Sequence, residues 1–339
     1  MKLVSVVLPF FNAESTIEQA VQSILNQTYT HFELLLYDDG STDNSLKRLS
    51  EFNDNRIRII KNSQNCGLIE VLNRSITEAK GDYWARMDAD DVALPDRLTK
   101  QVDYLDQHSN CGICGTQMQI MGTKEILHKP LSDSELRWWI FKSTPFSHPT
   151  VMIKRDLLLQ TQLQFRNEAY VAEDYDMWWR LAYHTQLGNL PEILLNYRIH
   201  PTQESSKKQS IQAAHFKASQ AAFCASIDCH KSFQIDWINQ TLTNSSEPSF
   251  KNILKTSQWF NNLSKSTSAQ VFFSMSSITS KRQTCMLSLC NRIEQFHPLY
   301  SLLLLKSSIR NDFKAGNVSI LSFLFKSLLF WKTRQIELK

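Results

Sequence analysis

The sequence predicts an α/β layered domain with a mostly parallel central sheet, followed by a helical carboxyl-terminal region. Two patterns carry that expectation. Continuous apolar runs alternate with helical periodicity over the first hundred residues, as in a sheet wrapped by crossover helices. After about Gln203 the texture changes: residues 206–339 hold one glycine, Gly316, and two prolines, Pro248 and Pro298. So few breakers over that length favour helices over further strands.

The elements follow in order. Val4 to Phe10 is an apolar run with Ser5 as its one polar residue, as expected of a strand buried on both faces. Ile17, Ala20, Val21, Ile24 and Leu25 then recur at helical spacing. Phe32 to Tyr37 forms a second buried run closed by Asp38-Asp39-Gly40-Ser41, and Asp43 is placed to cap a helix opening at Asn44-Ser45-Leu46. Arg56 to Ile60 reads as a third strand, Ile69 to Ala79 as a helix, and Tyr83 to Met87 as a fourth strand running into Asp88. Ligands of such sheets bind off the carboxyl ends of the strands, where Phe11, Asp39 and Asp88 fall. The organisation predicted is an α/β domain over 1–205 that carries the ligand site and a helical, basic region over 206–339.

With 339 residues, 42% hydrophobic and 21% charged, the chain has ordinary globular usage, which excludes a disordered or collagen-like protein. Its net charge of +4 conceals an asymmetry. From Lys207 onward 17 basic residues face six acids, leaving 20 basic against 27 acidic before it. The basic half points to an anionic surface as partner. Seven cysteines in no disulfide-dense pattern, and an opening MKLVSVVLPFFNAE without the make-up of a secretory signal, predict a reducing cytoplasm. Cys111 and Cys114 form a lone C-x-x-C with no second pair, so they read as buried thiols rather than a zinc site. No apolar stretch reaches the about 20 residues that span a bilayer, so an integral membrane protein is not expected.

Met87-Asp88-Ala89-Asp90-Asp91 is the strongest chemical signal. Three carboxylates in four positions at a strand end repel one another unless a cation neutralises them. Oxygen donors suit Mg²⁺ or Mn²⁺, which also favour a diphosphate as co-ligand. An acidic turn with Asp91 capping the next helix is the plain alternative. In Tyr37-Asp38-Asp39-Gly40-Ser41-Thr42-Asp43, a turn and a cap explain Gly40 and Asp43 but leave Asp39 free to accept hydrogen bonds from a base or ribose. Phe11 offers an aromatic face for a nucleobase, or a core ring. No G-x-G-x-x-G or Walker A pattern occurs, so a metal, not a glycine-rich loop, is expected to hold phosphates. Downstream, Glu173 and Asp174 open an amphipathic aromatic helix, serving either its dipole or as a general base. Tyr197-Arg198-Ile199-His200 ends the domain with a cation and an imidazole suited to a diphosphate.

Pro9-Phe10-Phe11-Asn12 with Glu14, Asp38-Asp39-Gly40-Ser41-Thr42-Asp43, Asn65-x-Gly67, Asn73, Arg86-Met87-Asp88-Ala89-Asp90-Asp91, Pro95-Asp96-Arg97-Leu98, His148-Pro149-Thr150, Glu173-Asp174-Tyr175-Asp176 and Tyr197-Arg198-x-His200 stand in an order that resembles the motif series of family 2 inverting glycosyltransferases. The resemblance covers roughly residues 1–205 and lies in the order and spacing of many motifs. It implies a Rossmann-like GT-A domain binding a nucleotide-diphosphate sugar, usually UDP-linked. Carried over by position, Pro9, Phe11, Asn12, Glu14, Asp39, Asn65, Gly67, Arg86, Asp88 and Ala89 would hold the nucleotide sugar, with Asp88 at the ribose. Asp90, joined by His200, would ligate Mg²⁺ or Mn²⁺. Asp174 would be the catalytic base, with Glu173, Asp91 and Arg198 in support. The chain departs from the pattern at Leu72-Asn73, where many members have Arg-Asn, and at Phe11, where Tyr is frequent. Trp138 and Trp139 in the 135–150 segment are candidates for an acceptor cleft or for core packing.

The tail matches no motif of that family. Its segment 318–332 is nearly all apolar, relieved by Ser322, Lys326 and Ser327, and it fits either a membrane interface or a final core helix. The basic excess favours an enzyme peripheral at the inner face of the cell membrane, acting on a saccharide or lipid-linked acceptor. Nucleic acid is not an expected partner, because no recognition motif accompanies the positive charge. A haloacid-dehalogenase-type phosphatase also places Asp-x-Asp after a strand, but after its first strand, and here three strands precede it. A non-catalytic nucleotide-sugar-binding protein is the remaining alternative, opposed by competent side chains at every position.

Overall fold

β1 (Val4–Phe10) is apolar at every position but Ser5 because it lies inside a sheet covered on both faces. The computed structural model describes residues 1–200, 203, 208–228, 235–246 and 250–292. The chain divides into two compact units, Met1–Gln220 and one that begins at Ala221.

In the first unit β1 is flanked by β2 (Phe32–Asp38), which pairs with β3 (Ile57–Lys61), and by β4 (Tyr83–Arg86), all parallel. The connections are α1 (Ile17–Leu25), α2 (Ser45–Leu49) and α3 (Leu68–Glu78). Val4, Val6, Leu8 and Phe10 join Leu34 and Leu36 on one face, against Ile17, Val21 and Ile24 of α1 and Leu98 and Val102 of α4 (Arg97–Gln107). Each such buried side chain contributes about 1.5–3 kcal/mol. Trp84 lies beside Ser5 in register and donates its ring N–H to Ser75 of α3 at 2.9 Å, which fixes α3 on the opposite face.

Beyond β4 the sheet turns mixed. β5 (Val92–Ala93) is antiparallel to β9 (Gln186–Tyr197), which runs parallel to β6 (Cys111–Ile120). β8 (Met152–Lys154) is antiparallel to both β4 and β6, and β7 (Ile126–Leu127) pairs with β6. The strand order is β3-β2-β1-β4-β8-β6-β9-β5. This is the expected α/β class, with the parallel character concentrated in the first four strands. Cys111 and Cys114 are buried free thiols on β6.

Three further helices belong to the first unit: α5 (Asp133–Trp139), α6 (Arg155–Thr161) and α7 (Glu173–Leu181). The expected cap of α2 is shifted by one residue. Asn44 is the N-cap without a side-chain cap bond, while the Asp43 carboxylate accepts the backbone N–H of Ser45 at 2.9 Å. After 203 the described secondary structure is all helical: α8 (Gln209–Ser226), α9 (Ile235–Leu242), α10 (Phe250–Lys265), α11 (Thr267–Phe272) and α12 (Met275–Arg292). In the second unit Trp237 meets Trp259 edge to face at 6.2 Å, and Arg282 of α12 donates to Asn261 of α10. Among the described residues no helix is long and apolar enough to cross a membrane. The apolar segment 318–332 lies outside the described residues.

Candidate active site

The order β3-β2-β1-β4 reverses direction between β1 and β4, which is where an open α/β sheet forms a crevice at its carboxyl edge. Loops leaving β1, β2 and β4 meet there. Phe11 is 48% exposed, so its ring is a surface group and not part of the core. Asn12 adopts a positive φ of 52°, and its side-chain oxygen accepts the Thr42 N–H at 2.8 Å. Glu14 accepts both the backbone and side-chain N–H groups of Asn44 at 2.9 Å, while Asp43 accepts the Glu14 N–H at 3.0 Å. These bonds tie the β1 and β2 loops together. Pro9 is half-buried inside β1.

Asp39 is buried at the end of β2 and faces the β3–α3 loop. Its carboxylate accepts from the Cys66 N–H at 2.8 Å, the Gly67 N–H at 2.9 Å and the Asn62 amide at 2.9 Å. Three of its roughly four acceptor positions are therefore taken, leaving one for a ligand. Gly40 is required by this approach: at φ 79° a Cβ would lie 2.7 Å from the Gln64 carbonyl carbon. Asn65 is exposed on the same loop.

The loop after β4 carries the acids. Asp88, Asp90 and Asp91 bring carboxylate oxygens within 4.8 Å of one another, the only cluster of this kind among the described residues. Asp91 is buried and uses one oxygen to accept the Arg198 N–H at 2.9 Å, so it belongs to the trio and does not cap α4, whose N-cap is Asp96. Its other oxygen is buried with no hydrogen-bond partner. Burial, then Asp88 and Asp90, push the Asp91 carboxyl up to about 9, and burial and Asp88 raise Asp90. An orphaned carboxylate oxygen inside a trio of mutually repelling acids is what a hard divalent cation relieves, so the donor set fits Mg²⁺ or Mn²⁺. Ala89 is half-buried between Asp88 and Asp90.

Short β5 pairing brings the end of β9 beside this loop. There Arg198 donates its Nε to the Asp90 carbonyl at 2.8 Å and an amine to Gln19 at 2.6 Å, and His200 Nε2 lies 2.8 Å from Asp90 Oδ2. Gln203 holds the turn by donating to the Arg198 carbonyl at 2.8 Å.

Arg86 is buried at the end of β4 and pairs with Asp88. Its charge is also felt by Glu173 and Asp174 at the start of α7, so one cation links the acidic trio to the second carboxylate pair. Asp174 is half-buried, and burial raises its carboxyl. The Tyr175 N–H, Lys129, the Thr144 hydroxyl and Arg86 oppose that rise. Glu173 is buried 3.9 Å from His148 Nδ1, whose ring stands edge-on to Trp178. Trp138 packs against Phe141 in the interior, while Trp139 is half-buried under Lys142.

Sequence reasoning missed two cations. Arg97 is fully buried beneath the acidic loop, donating to the Arg86 carbonyl and, at 3.1 Å, to Gln101. Burial pushes its guanidinium down to about 10. Its only signal was an arginine inside the quoted Pro95-Asp96-Arg97-Leu98 motif. Lys129 had none.

The family model for glycosyl transferase family 2 matches residues 5–160. An uncharacterized glycosyltransferase of Haemophilus influenzae is 35% identical over 221 residues, spanning 60% of this chain and 68% of that protein. The UDP-Glc:alpha-D-GlcNAc-diphosphoundecaprenol beta-1,3-glucosyltransferase WfgD of Escherichia coli is 29% identical over 209 residues, spanning 61% and 81%. The solved structure of S. aureus TarS 1-349 in complex with UDP-GlcNAc superposes with a TM-score of 0.58 at 17% identity, covering 98% of this chain and 92% of that one, a likeness of fold. Fold, site and sequence together define a glycosyltransferase. The chain belongs to glycosyl transferase family 2.

Proposed function

We propose that this enzyme transfers a sugar from a UDP-linked or other nucleotide-diphosphate donor to a hydroxyl of a saccharide or lipid-linked acceptor, with inversion at the anomeric carbon. The observation that carries the reading is the charge arrangement around Arg86, which pairs with Asp88 of the acidic trio and whose charge also acts on Glu173 and Asp174 at the start of α7. The names of relatives agree with it, since WfgD takes UDP-Glc and a diphosphoundecaprenol-linked sugar.

In this reading the nucleoside lies against Phe11 and the open acceptor position of Asp39, beside Pro9, Asn12, Asn65 and Gly67. Glu14 acts by bracing Asn44 and the β2 loop. Asp88 meets the ribose, and Asp90 with His200, assisted by Asp91, holds Mg²⁺ or Mn²⁺ next to the diphosphate. When bound, that ion supplies positive charge for the leaving group. Arg198 fixes the loop through the Asp90 carbonyl. Asp174 accepts the proton of the acceptor hydroxyl as that oxygen attacks from the face opposite the diphosphate. A single displacement inverts the centre and needs no covalent enzyme intermediate. Half-burial suits a base, because a raised carboxyl holds the transferred proton better than an exposed one.

A positioned base is worth about 10²–10⁴-fold in rate. Asp174→Asn should therefore lose at least about 10²-fold in turnover of a UDP-sugar found by thermal-shift screening with Mn²⁺. UDP affinity should stay unchanged. Equal loss of UDP affinity would assign Asp174 to donor binding instead.

The basic tail supports attachment at the cytoplasmic face of an anionic membrane, where each Lys or Arg near the surface contributes about 1 kcal/mol. Removing residues 317–339 should release the enzyme from anionic vesicles in co-sedimentation, and unchanged sedimentation would end that part of the reading.

A further inference from the structure

Lys129 follows β7 in a short loop, and its backbone is held at both ends by one buried side chain. Gln117 of β6 accepts the Lys129 N–H at 2.7 Å and donates to the Lys129 carbonyl at 3.1 Å. The same amide reaches the Leu190 carbonyl of β9 at 3.2 Å, tying the loop to the centre of the sheet. From this fixed base the ammonium turns inward and donates to the Thr144 carbonyl at 2.8 Å. The Thr144 hydroxyl lies 3.3 Å from Asp174 Oδ2 and 3.1 Å from the Phe146 carbonyl, so its single hydrogen is shared between them.

Lysine keeps its ammonium in water unless a partner repays the desolvation. Here the Thr144 carbonyl supplies one neutral acceptor, and the charge that acts on Lys129 favourably is Asp174. We propose that Lys129 is a positioning residue for Asp174: anchored by Gln117 and Thr144, its ammonium keeps the Asp174 carboxylate charged and fixed in place. The inference rests on the reading of Asp174 as the base and deepens it.

The charges around the pair agree in sign. Burial pushes the Lys129 ammonium down to about 8, with Lys142 adding to the fall and Asp174 opposing it. Burial raises Asp174, and the Tyr175 N–H, Lys129, Thr144 and Arg86 counter that rise. Glu173 precedes Asp174 on α7 with His148 beside it, and Arg86 is also engaged by Asp88. Among the described residues, Lys129 is a cation acting on Asp174 that the acidic trio does not already claim.

The test needs no substrate. In protein labelled with ¹³C at the aspartate carboxyls, the resonance that Asp174→Asn removes reports Asp174. Its titration midpoint should rise by about one pH unit, a tenfold change in proton affinity, in Lys129→Met and Lys129→Gln, and return in Lys129→Arg. The reciprocal arm follows the lysine Cε signal that Lys129→Arg removes, whose midpoint should fall in Asp174→Asn. An unmoved midpoint in both arms would overturn the proposal and leave Lys129 as a loop anchor. Turnover retained by Asp174→Asn, with the coupling present, would instead remove the base reading alone.

Discussion

His200 Nε2 lies 2.8 Å from Asp90 Oδ2, joining residues 110 positions apart at the edge of the acidic trio. The contact exists because β5 pairs antiparallel with β9 and delivers the chain after Tyr197 to the loop after β4. An imidazole in that position has two uses: as a hydrogen-bond partner that orients the carboxylate, and as a nitrogen ligand.

Loss of an outer partner of a metal ligand typically costs about 10–100-fold in metal affinity. His200→Ala should weaken Mn²⁺ binding by that order, read by calorimetric titration of Mn²⁺ at saturating UDP. His200→Gln should recover part of it if the ring only orients Asp90. Mn²⁺ affinity equal to that of the unaltered enzyme in both variants would remove His200 from the site.

Much of this arrangement was legible in sequence because it is local. β1 runs over Val4–Phe10 as its apolar run requires, and Asp39 and Asp88 follow strands whose pattern is unmistakable. The mixed half of the sheet was not legible. β5, β7 and β8 have two or three residues each, too short to print a period of two, and β6 is matched to partners far along the chain. The same distance hid Arg97 and Lys129, whose meaning comes from what burial places beside them. Asp39 illustrates the reverse case, since its type and place were visible but the three donors that occupy it were not.

Gly40 and Gly67 separate local strain from pocket geometry. Both have positive φ, 79° and 89°, and an alanine there costs about 1–3 kcal/mol in backbone strain. At Gly67 a Cβ meets nothing within 4 Å, whereas at Gly40 it strikes the backbone of Gln64 and Asn65. Gly67→Ala should therefore lower the melting temperature and weaken UDP binding less than Gly40→Ala does. Gly40→Ala should lose both, because the segment it displaces carries the N–H groups that hold Asp39. UDP affinity at the level of the unaltered enzyme in Gly40→Ala would show that the β3–α3 loop does not shape the nucleoside pocket.

Asp176 anchors the helix that begins with Glu173 and Asp174. It is buried, pairs with Arg166 and Arg180, and accepts from Ser219 of α8 at 2.9 Å. Burial raises its carboxyl, but the Arg166 hydrogen bond and both guanidinium charges outweigh that and hold it below the ordinary carboxylate value. The folded chain thus binds this proton more weakly than the unfolded chain, so the stabilisation is complete above about pH 4 and fades as pH falls below it. Asp176→Asn takes the carboxylate from the largely buried Arg180 guanidinium and should cost up to about 3 kcal/mol at pH 7. Arg166→Ala removes a partly exposed partner and should cost about 1 kcal/mol or less. Urea titrations at pH 7 and at acid pH should show the gap between wild type and Asp176→Asn narrowing on acidification. A gap that stays constant with pH would mean that the carboxylate charge does not hold α7, and that Asp174 owes its place to packing of Trp178 and Tyr175 alone.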